Sequence, residues 1–202
     1  QDELKSVFND YYSKPAVGPL SSDSEIYRKY LSGNLNSSCS EIDVNEMPEL
    51  NMLYFEDLPI LKKMAFYIQD KFIRLGIKTV IHPGKYSEFN SIDFSKYNII
   101  LCTLKSDVNI SYYHYIYSDR SPQNFIGYSN PEVEKIILLS FVEYDPEKRR
   151  ELEEMLYLEL MKEVPEIFLF YPKELYIISS KVNLNCSTEE IFNNSHLWEK
   201  YK

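Results

Sequence analysis

The side chains best suited to covalent chemistry in this sequence are Cys102, His82, His114 and Asp107: a thiol, two imidazoles and a carboxylate. Together they could form a nucleophile, a base and an orienting group. A catalytic thiol must be exposed and acidified by its neighbours. Cys102 instead stands inside the apolar run Tyr97–Leu104, where a buried, inert thiol is expected. His82 precedes a Pro-Gly turn and His114 stands among tyrosines, both ordinary surface settings. No enzymatic activity is expected. The cysteines Cys39, Cys102 and Cys186 are far apart, form no CxxC or zinc spacing, and allow at most one disulfide. Neither a metal nor a cofactor is expected. The five glycines, Gly18, Gly33, Gly76, Gly84 and Gly127, stand apart. No GxGxxG or GxxxxGK[ST] phosphate cradle can be written from them.

Asp107 has a second possible use, and the elements around it decide which. Leu50–Phe55 reads as a strand, and Asp57 and Pro59 mark a helix start. Leu58, Leu61, Ala65, Ile68, Phe72 and Leu75 then follow at steps of three and four, one apolar stripe closed by Gly76. Ile77–Ile81 is a short strand stopped by Pro83-Gly84, Tyr86–Ser95 a weak helix, and Tyr97–Leu104 a strand covered on both faces. This is β-α-β logic with right-handed crossovers. It predicts an α/β fold with a mostly parallel sheet and flanking helices. Asp107 then lies just past the carboxyl end of a buried strand, where open α/β sheets place their ligand crevice.

The flanks are helical or irregular. Asp2–Tyr12 and Ser24–Leu31 read as short helices, Lys14–Pro19 as a turn-rich loop, and Asn34–Glu46 as a polar connection. Asn130-Pro131 and Asp145-Pro146 each pair a cap with a first-turn proline, and open helices through about Val142 and Val164. In the second, Leu152, Leu156 and Leu160 share one face, an amphipathic surface helix. Ile167–Tyr171 and Glu174–Ser179 read as extended segments hinged at Pro172.

Composition narrows the function classes. The 202 residues carry 22 basic and 31 acidic side chains, a net charge of −9, with 44% hydrophobic and 26% charged residues. That is a globular composition with room for one sizeable core or two small ones. Phosphate backbones need clustered Lys and Arg, so nucleic acid is not an expected partner. No apolar run is long enough for a spanning helix, and the acidic start Gln1-Asp2-Glu3-Leu4 is not a signal peptide.

Several stretches, in shared order, resemble the C-terminal part of the bacterial extracellular solute-binding proteins of family 5. These are the components of ABC importers that capture oligopeptides, dipeptides and nickel chelates. The stretches are Tyr128-Ser-Asn-Pro-Glu-Val-Glu134 followed by Asp145-Pro-Glu-Lys-Arg-Arg150, then Val164-Pro-Glu-Ile-Phe-Leu-Phe-Tyr-Pro172. Upstream, Leu75-Gly-Ile-Lys-Thr-Val80 and Lys14-Pro-Ala-Val-Gly-Pro-Leu20 also match. The resemblance runs from about Leu4 to Trp198.

It implies a lobe of the periplasmic-binding-protein type. Residues 1–165 would be the second lobe, and residues 166–202 the return segment that completes the first lobe in a full-length protein, so the chain looks like a C-terminal fragment or a reduced relative. In peptide-binding members a Gly-Trp-x-x-Asp pattern follows the buried strand, and its Asp receives the α-ammonium of the peptide. Here Thr103-Leu-Lys-Ser-Asp107 keeps the Asp but has Leu104 for Trp and Thr103 for Gly. A carboxylate suits that role, because a charge-assisted hydrogen bond is about twice as strong as a neutral one. Asp107 and Leu104 are therefore the first candidate ligand residues. From the aromatic group Tyr112, Tyr113, Tyr115, Tyr117, Phe125 and Tyr128, one or two rings are expected to face the cleft, with Tyr112, Tyr113 and Phe125 the candidates; most of the others pack the core. The implied partners are a peptide or other small solute and the membrane permease of an ABC importer. The implied location is the periplasmic or extracellular face of the cell envelope, with a lipid anchor in the full-length protein. The segment from Ile167 is expected either to pair with a second copy as a homodimer or to fold back on its own lobe. The alternative function is a non-transport interaction protein that keeps the lobe and lacks ligand capture.

Overall fold

The computed structural model of the chain describes residues 2–19, 24–30, 43–103, 116–173, 179, 181–183 and 199–200. Chain contacts divide it into two compact units, Gln1–Tyr171 and Pro172–Lys202.

At the centre of the first unit three strands, β2 (Leu50–Phe55), β3 (Thr79–Gly84) and β4 (Ile99–Leu101), form a sheet in the order β3-β2-β4. Both pairings are parallel: Leu53 is level with His82 on one side and with Ile100 on the other. The α/β fold with a parallel sheet read from the sequence is therefore present. Between β2 and β3 runs helix α3 (Pro59–Arg74), which buries Leu61, Met64 and Ala65. The return from β3 to β4 crosses β2 in the opposite direction. By the general right-handed rule for such crossovers, α3 and the 3-10 turns Tyr86–Ser91 and Phe94–Lys96 belong on opposite faces of the sheet. Phe55, fully buried on β2, stacks on Tyr86 and Phe89 of those turns.

A second apolar cluster joins helices α2 (Glu25–Tyr30), α4 (Pro131–Val142) and α5 (Pro146–Glu163) through Ile26, Val133, Ile137, Leu156, Tyr157 and Leu160. The caps of α4 and α5 are those read from the sequence. Asn130 Oδ1 accepts from the N–H groups of Glu132 (2.8 Å) and Val133 (3.2 Å). Asp145 Oδ1 accepts from Glu147 (2.9 Å) and Lys148 (3.4 Å). Asn130→Ala and Asp145→Ala are each expected to cost about 1 kcal/mol, read as a lower urea midpoint.

Four local readings change, each for a physical reason. Strand β3 runs through Pro83 to Gly84 rather than stopping at Ile81; it is an edge strand, where a residue without an N–H is tolerated. Strand β4 is shorter than 97–104, because the Thr103 N–H turns aside to the Tyr86 phenol at 3.1 Å. Asp57 caps no helix: α3 begins after Leu58 without a side-chain cap, and Asp57 Oδ2 accepts the Tyr86 N–H at 2.7 Å. Within the loop and helix read for 2–19, helix α1 spans only Asp2–Val7, and Tyr12–Pro15 forms strand β1, paired with β5 (Phe170–Pro172). Phe170 packs its ring on Phe8 and Tyr12, so the segment from Ile167 folds back on its own unit as far as Tyr171.

In the second unit, β6 (Val182–Asn183) and β7 (Glu199–Lys200) pair antiparallel.

Candidate functional site

Parallel strands bring their carboxyl ends to one edge of the sheet, here Phe55, Gly84 and the residues after Leu101. Tyr86 organises this edge. Its ring lies on Phe55 at 4.1 Å between centroids and 14° between planes. Its phenol oxygen accepts the Thr103 N–H at 3.1 Å, and a second hydroxyl contact joins it to Thr103 Oγ1 at 3.3 Å. Asp57 fixes the Tyr86 backbone. The end of β4 is thus tied to the end of β3 by a side chain rather than by ladder bonds.

Among the sequence-predicted ligand residues, Phe125 is described. It is half-buried, edge-on to Phe89 at 5.3 Å and tilted on Phe94 at 5.2 Å, within the aromatic layer that covers β2. Leu104, Asp107, Tyr112 and Tyr113 lie outside the described residues, as do Tyr115 and His114. Tyr117 is core, 1% exposed, with its ring edge-on to Tyr128 at 5.7 Å. His82 Nε2 is 2.8 Å from Asn51 Oδ1, and its ring meets that of Tyr97. The whole of β2 separates β3 from β4, about 10 Å of sheet, so His82 does not meet Cys102.

Cys102 and Glu166 give the site its electrostatic character. Burial, and secondarily the negative charge of Glu166, push the Cys102 thiol up to about 12. It is therefore protonated and unreactive at neutral pH. Glu166 accepts a hydrogen bond from the Tyr117 hydroxyl at 2.8 Å. Burial nevertheless holds its carboxyl above the usual range, with the Tyr117 bond pulling the other way. A carboxyl whose folded pKa is raised binds its proton more tightly in the native state. Its cost to stability is absent below the unfolded pKa and develops as pH rises through the raised value. Glu166→Gln keeps an acceptor for Tyr117 and removes the charge. The variant is expected to be more stable than the parent at about pH 7 and unchanged at about pH 4, by urea unfolding. A loss of stability at about pH 7 would mean that the charged hydrogen bond outweighs burial.

Sequence reasoning did not find Tyr86, Thr103 or Glu166 as a group. The sequence places Tyr86 in a weak helix, and its one available signal is its place two residues after Gly84, where β3 ends. Among the described residues no group of His, Cys, Asp and Glu is arranged to hold a metal ion, and no helix is long and apolar enough to cross a membrane. A groove of about 300 Å³ lies instead on α4 and α5, lined by residues that include Leu139, Val142, Leu152 and Met155, away from the sheet edge.

No family model matches the sequence, and no curated protein matches it. Solved structures do. The oligopeptide-binding protein AppA from Bacillus subtilis, in complex with a nonapeptide, is similar over 100% of this chain and 45% of its own, with 14% identity and a TM-score of 0.69. The ABC transporter-associated periplasmic binding protein DppA from Helicobacter pylori, in complex with the peptide STSA, is similar over 85% of this chain and 36% of its own, with 16% identity and a TM-score of 0.63. A nickel ABC transporter protein from Bacillus halodurans is similar over 85% of this chain and 40% of its own, with 16% identity and a TM-score of 0.65. The chain therefore spans about two-fifths of the length of the solved proteins it matches. In fold, this chain is similar to one part of the substrate-binding proteins of ABC transporters, an α/β unit on a parallel sheet.

Proposed function

We propose that this chain is a solute-binding lobe of the family 5 type, working without covalent chemistry, and that its solute is a peptide. The observation that carries this reading is the likeness of the whole chain to a protein solved with a nonapeptide. In this reading residues 1–165 belong to the second lobe and residues 166–202 to the return segment. Asp107 receives the peptide's α-ammonium just past the β4 edge, with Leu104, Tyr112, Tyr113 and Phe125 as the apolar and aromatic surround. Peptide is preferred to a nickel chelate because a lone carboxylate suits an ammonium group, whereas a metal needs several converging ligands. The partner is an ABC permease, and the place of work is the outer face of the cell envelope, with the lobe tethered by a lipid anchor.

A second reading, a docking protein without a solute, is favoured by one observation. Leu138, Leu139, Phe141, Val142 and Met155 are all exposed on α4 and α5. Thermal melting separates the two. A bound peptide at about ten times its Kd adds about 1.4 kcal/mol, a rise in Tm of a few degrees. The lobe reading expects that rise with short peptides carrying a free amino terminus. A rise with nickel–histidine alone would replace the solute class, and flat melting with both would favour docking.

A further inference from the structure

We propose that the groove between α4 and α5 is a docking site for an amphipathic helix that carries Lys or Arg beside its apolar face. The inference names a partner for the exposed surface noted above. It is independent of solute capture, and holds or fails whichever way the solute is decided.

Helix α4 carries two apolar stripes. One, Val133, Ile136 and Ile137 with Ser140, is buried against the second cluster. The other, Leu138, Leu139 and Val142, falls on the opposite side of the helix and is open to solvent, Val142 to 66%. A helix that is apolar all round belongs in an interior. Half of α4 therefore lacks the cover that its sequence calls for. Leu152 and Met155 of α5 join Leu139 and Val142 in lining the groove, whose volume is about 300 Å³. Such a trough between two helices takes a row of apolar side chains spaced i, i+3, i+4 and i+7 from a third.

Charge decides among the possible occupants. The hairpin from Pro131 to Glu163 carries ten carboxylates and five cations, so it holds −5 of the chain's net −9. Four of those cations are engaged within the chain. Lys135 pairs with Glu132, Lys162 with Glu159, and Arg150 with both Glu25 and Glu147, while Arg149 donates to the Glu143 carbonyl. At the groove itself stand the carboxylates of Glu143 and Glu151, with Lys148 as the one cation among its described lining residues. A second copy of the chain would set this acidic surface against itself, and an anionic membrane would be repelled in the same way. A helix with basic flanks instead lays its apolar face in the groove and its cations over Glu143 and Glu151. Ion pairs at so exposed a rim add little affinity, but they select the partner by excluding like charge.

The test is a fluorescence-anisotropy titration of the 202-residue chain with an amphipathic helical peptide of leucine and lysine, about four turns long, and with its counterpart in which glutamate replaces every lysine. At low salt the lysine peptide is expected to bind at least about tenfold more tightly than the glutamate one, and the preference should shrink at about 0.5 M salt. Leu139→Ser and Val142→Ser, both at exposed positions, should each weaken the lysine peptide about five- to tenfold and leave thermal melting unchanged. Glu151→Lys should narrow the preference for lysine over glutamate. Phe66→Ser, which removes an exposed ring from α3, should leave binding unaltered. No binding of either peptide, equal binding of both, or a loss in Phe66→Ser as large as in Leu139→Ser overturns the proposal. So does a parent chain that sediments as a dimer and becomes a monomer in Leu139→Ser, because the face would then join two copies. None of these outcomes bears on the melting shift with solute peptides, which tests the lobe reading by itself.

Discussion

Phe55→Ala is expected to cost about 3–5 kcal/mol, the range for removing a large buried aromatic side chain. Phe55 is 0% exposed at the carboxyl end of the central strand, and it stacks on Tyr86 at 4.1 Å and on Phe89 at 5.7 Å. The layer cannot simply collapse into the space, because Phe89 is also engaged with Phe94 and Phe125. The loss should have two parts. One is global and appears as a lower urea midpoint. The other is local: freed from its stacking partner, Tyr86 should release Thr103, so the Thr103 amide should exchange faster than global unfolding accounts for. Phe55→Leu should restore most of the stability and little of the Thr103 protection, since it fills volume without a flat face.

Gly18→Ala is expected to cost about 1–3 kcal/mol through overpacking. A Cβ at Gly18 would stand 2.4 Å from Cε2 and 3.1 Å from Cδ2 of Tyr157. That ring has little freedom to give way. Tyr157 is 0% exposed, stacks on Tyr30 at 4.8 Å and donates its hydroxyl to the Val17 carbonyl at 2.7 Å. The methyl group must push either the ring or the 16–19 backbone, and both hold the second apolar cluster to the N-terminal segment. The control is Tyr157→Leu in the Gly18→Ala background, where the clash is gone and the two losses should be less than additive. A Gly18→Ala chain as stable as the parent would show that the ring can shift at no cost.

Local signals in the sequence were reliable and distant ones were not. The stripe from Leu58 to Phe72, Gly76 at φ 84° and the caps at Asn130 and Asp145 depend on near neighbours in the chain, and the structure has all of them; Leu75, read as the end of the stripe, lies just past the helix and is 64% exposed. Strand β1 falls where the sequence reads the end of a helix at Tyr12 and the start of a loop at Lys14, because its partner β5 lies about 155 residues further along and Tyr12–Pro15 is too short to show alternation of its own. Asp57 sat where a helix cap belongs but found a stronger use across the sheet edge, at the Tyr86 N–H. The site was legible only in outline. The β-α-β pattern predicts parallel strands, whose carboxyl ends share one edge, but not the order β3-β2-β4 in which they lie. Nor does it predict the phenol that shapes that edge, because a hydrogen bond from Thr103 to Tyr86 leaves no trace in spacing.

The central proposal is that this chain supplies one side of a peptide site, and the strength of peptide binding tests it most directly. With one lobe only, the proposed ligand carboxylate Asp107 would have no second wall to exclude water, and an ion pair in solvent contributes about 0–1 kcal/mol. That is too little to offset a loss of translational and rotational freedom of about 4 kcal/mol or more. Calorimetric titration of the 202-residue chain with Ser-Thr-Ser-Ala is therefore expected to give a Kd no tighter than the millimolar range, with Asp107→Ala weakening it by no more than about fivefold. Micromolar affinity from this chain alone would contradict the account and would mean that the 202 residues contain a complete site of their own.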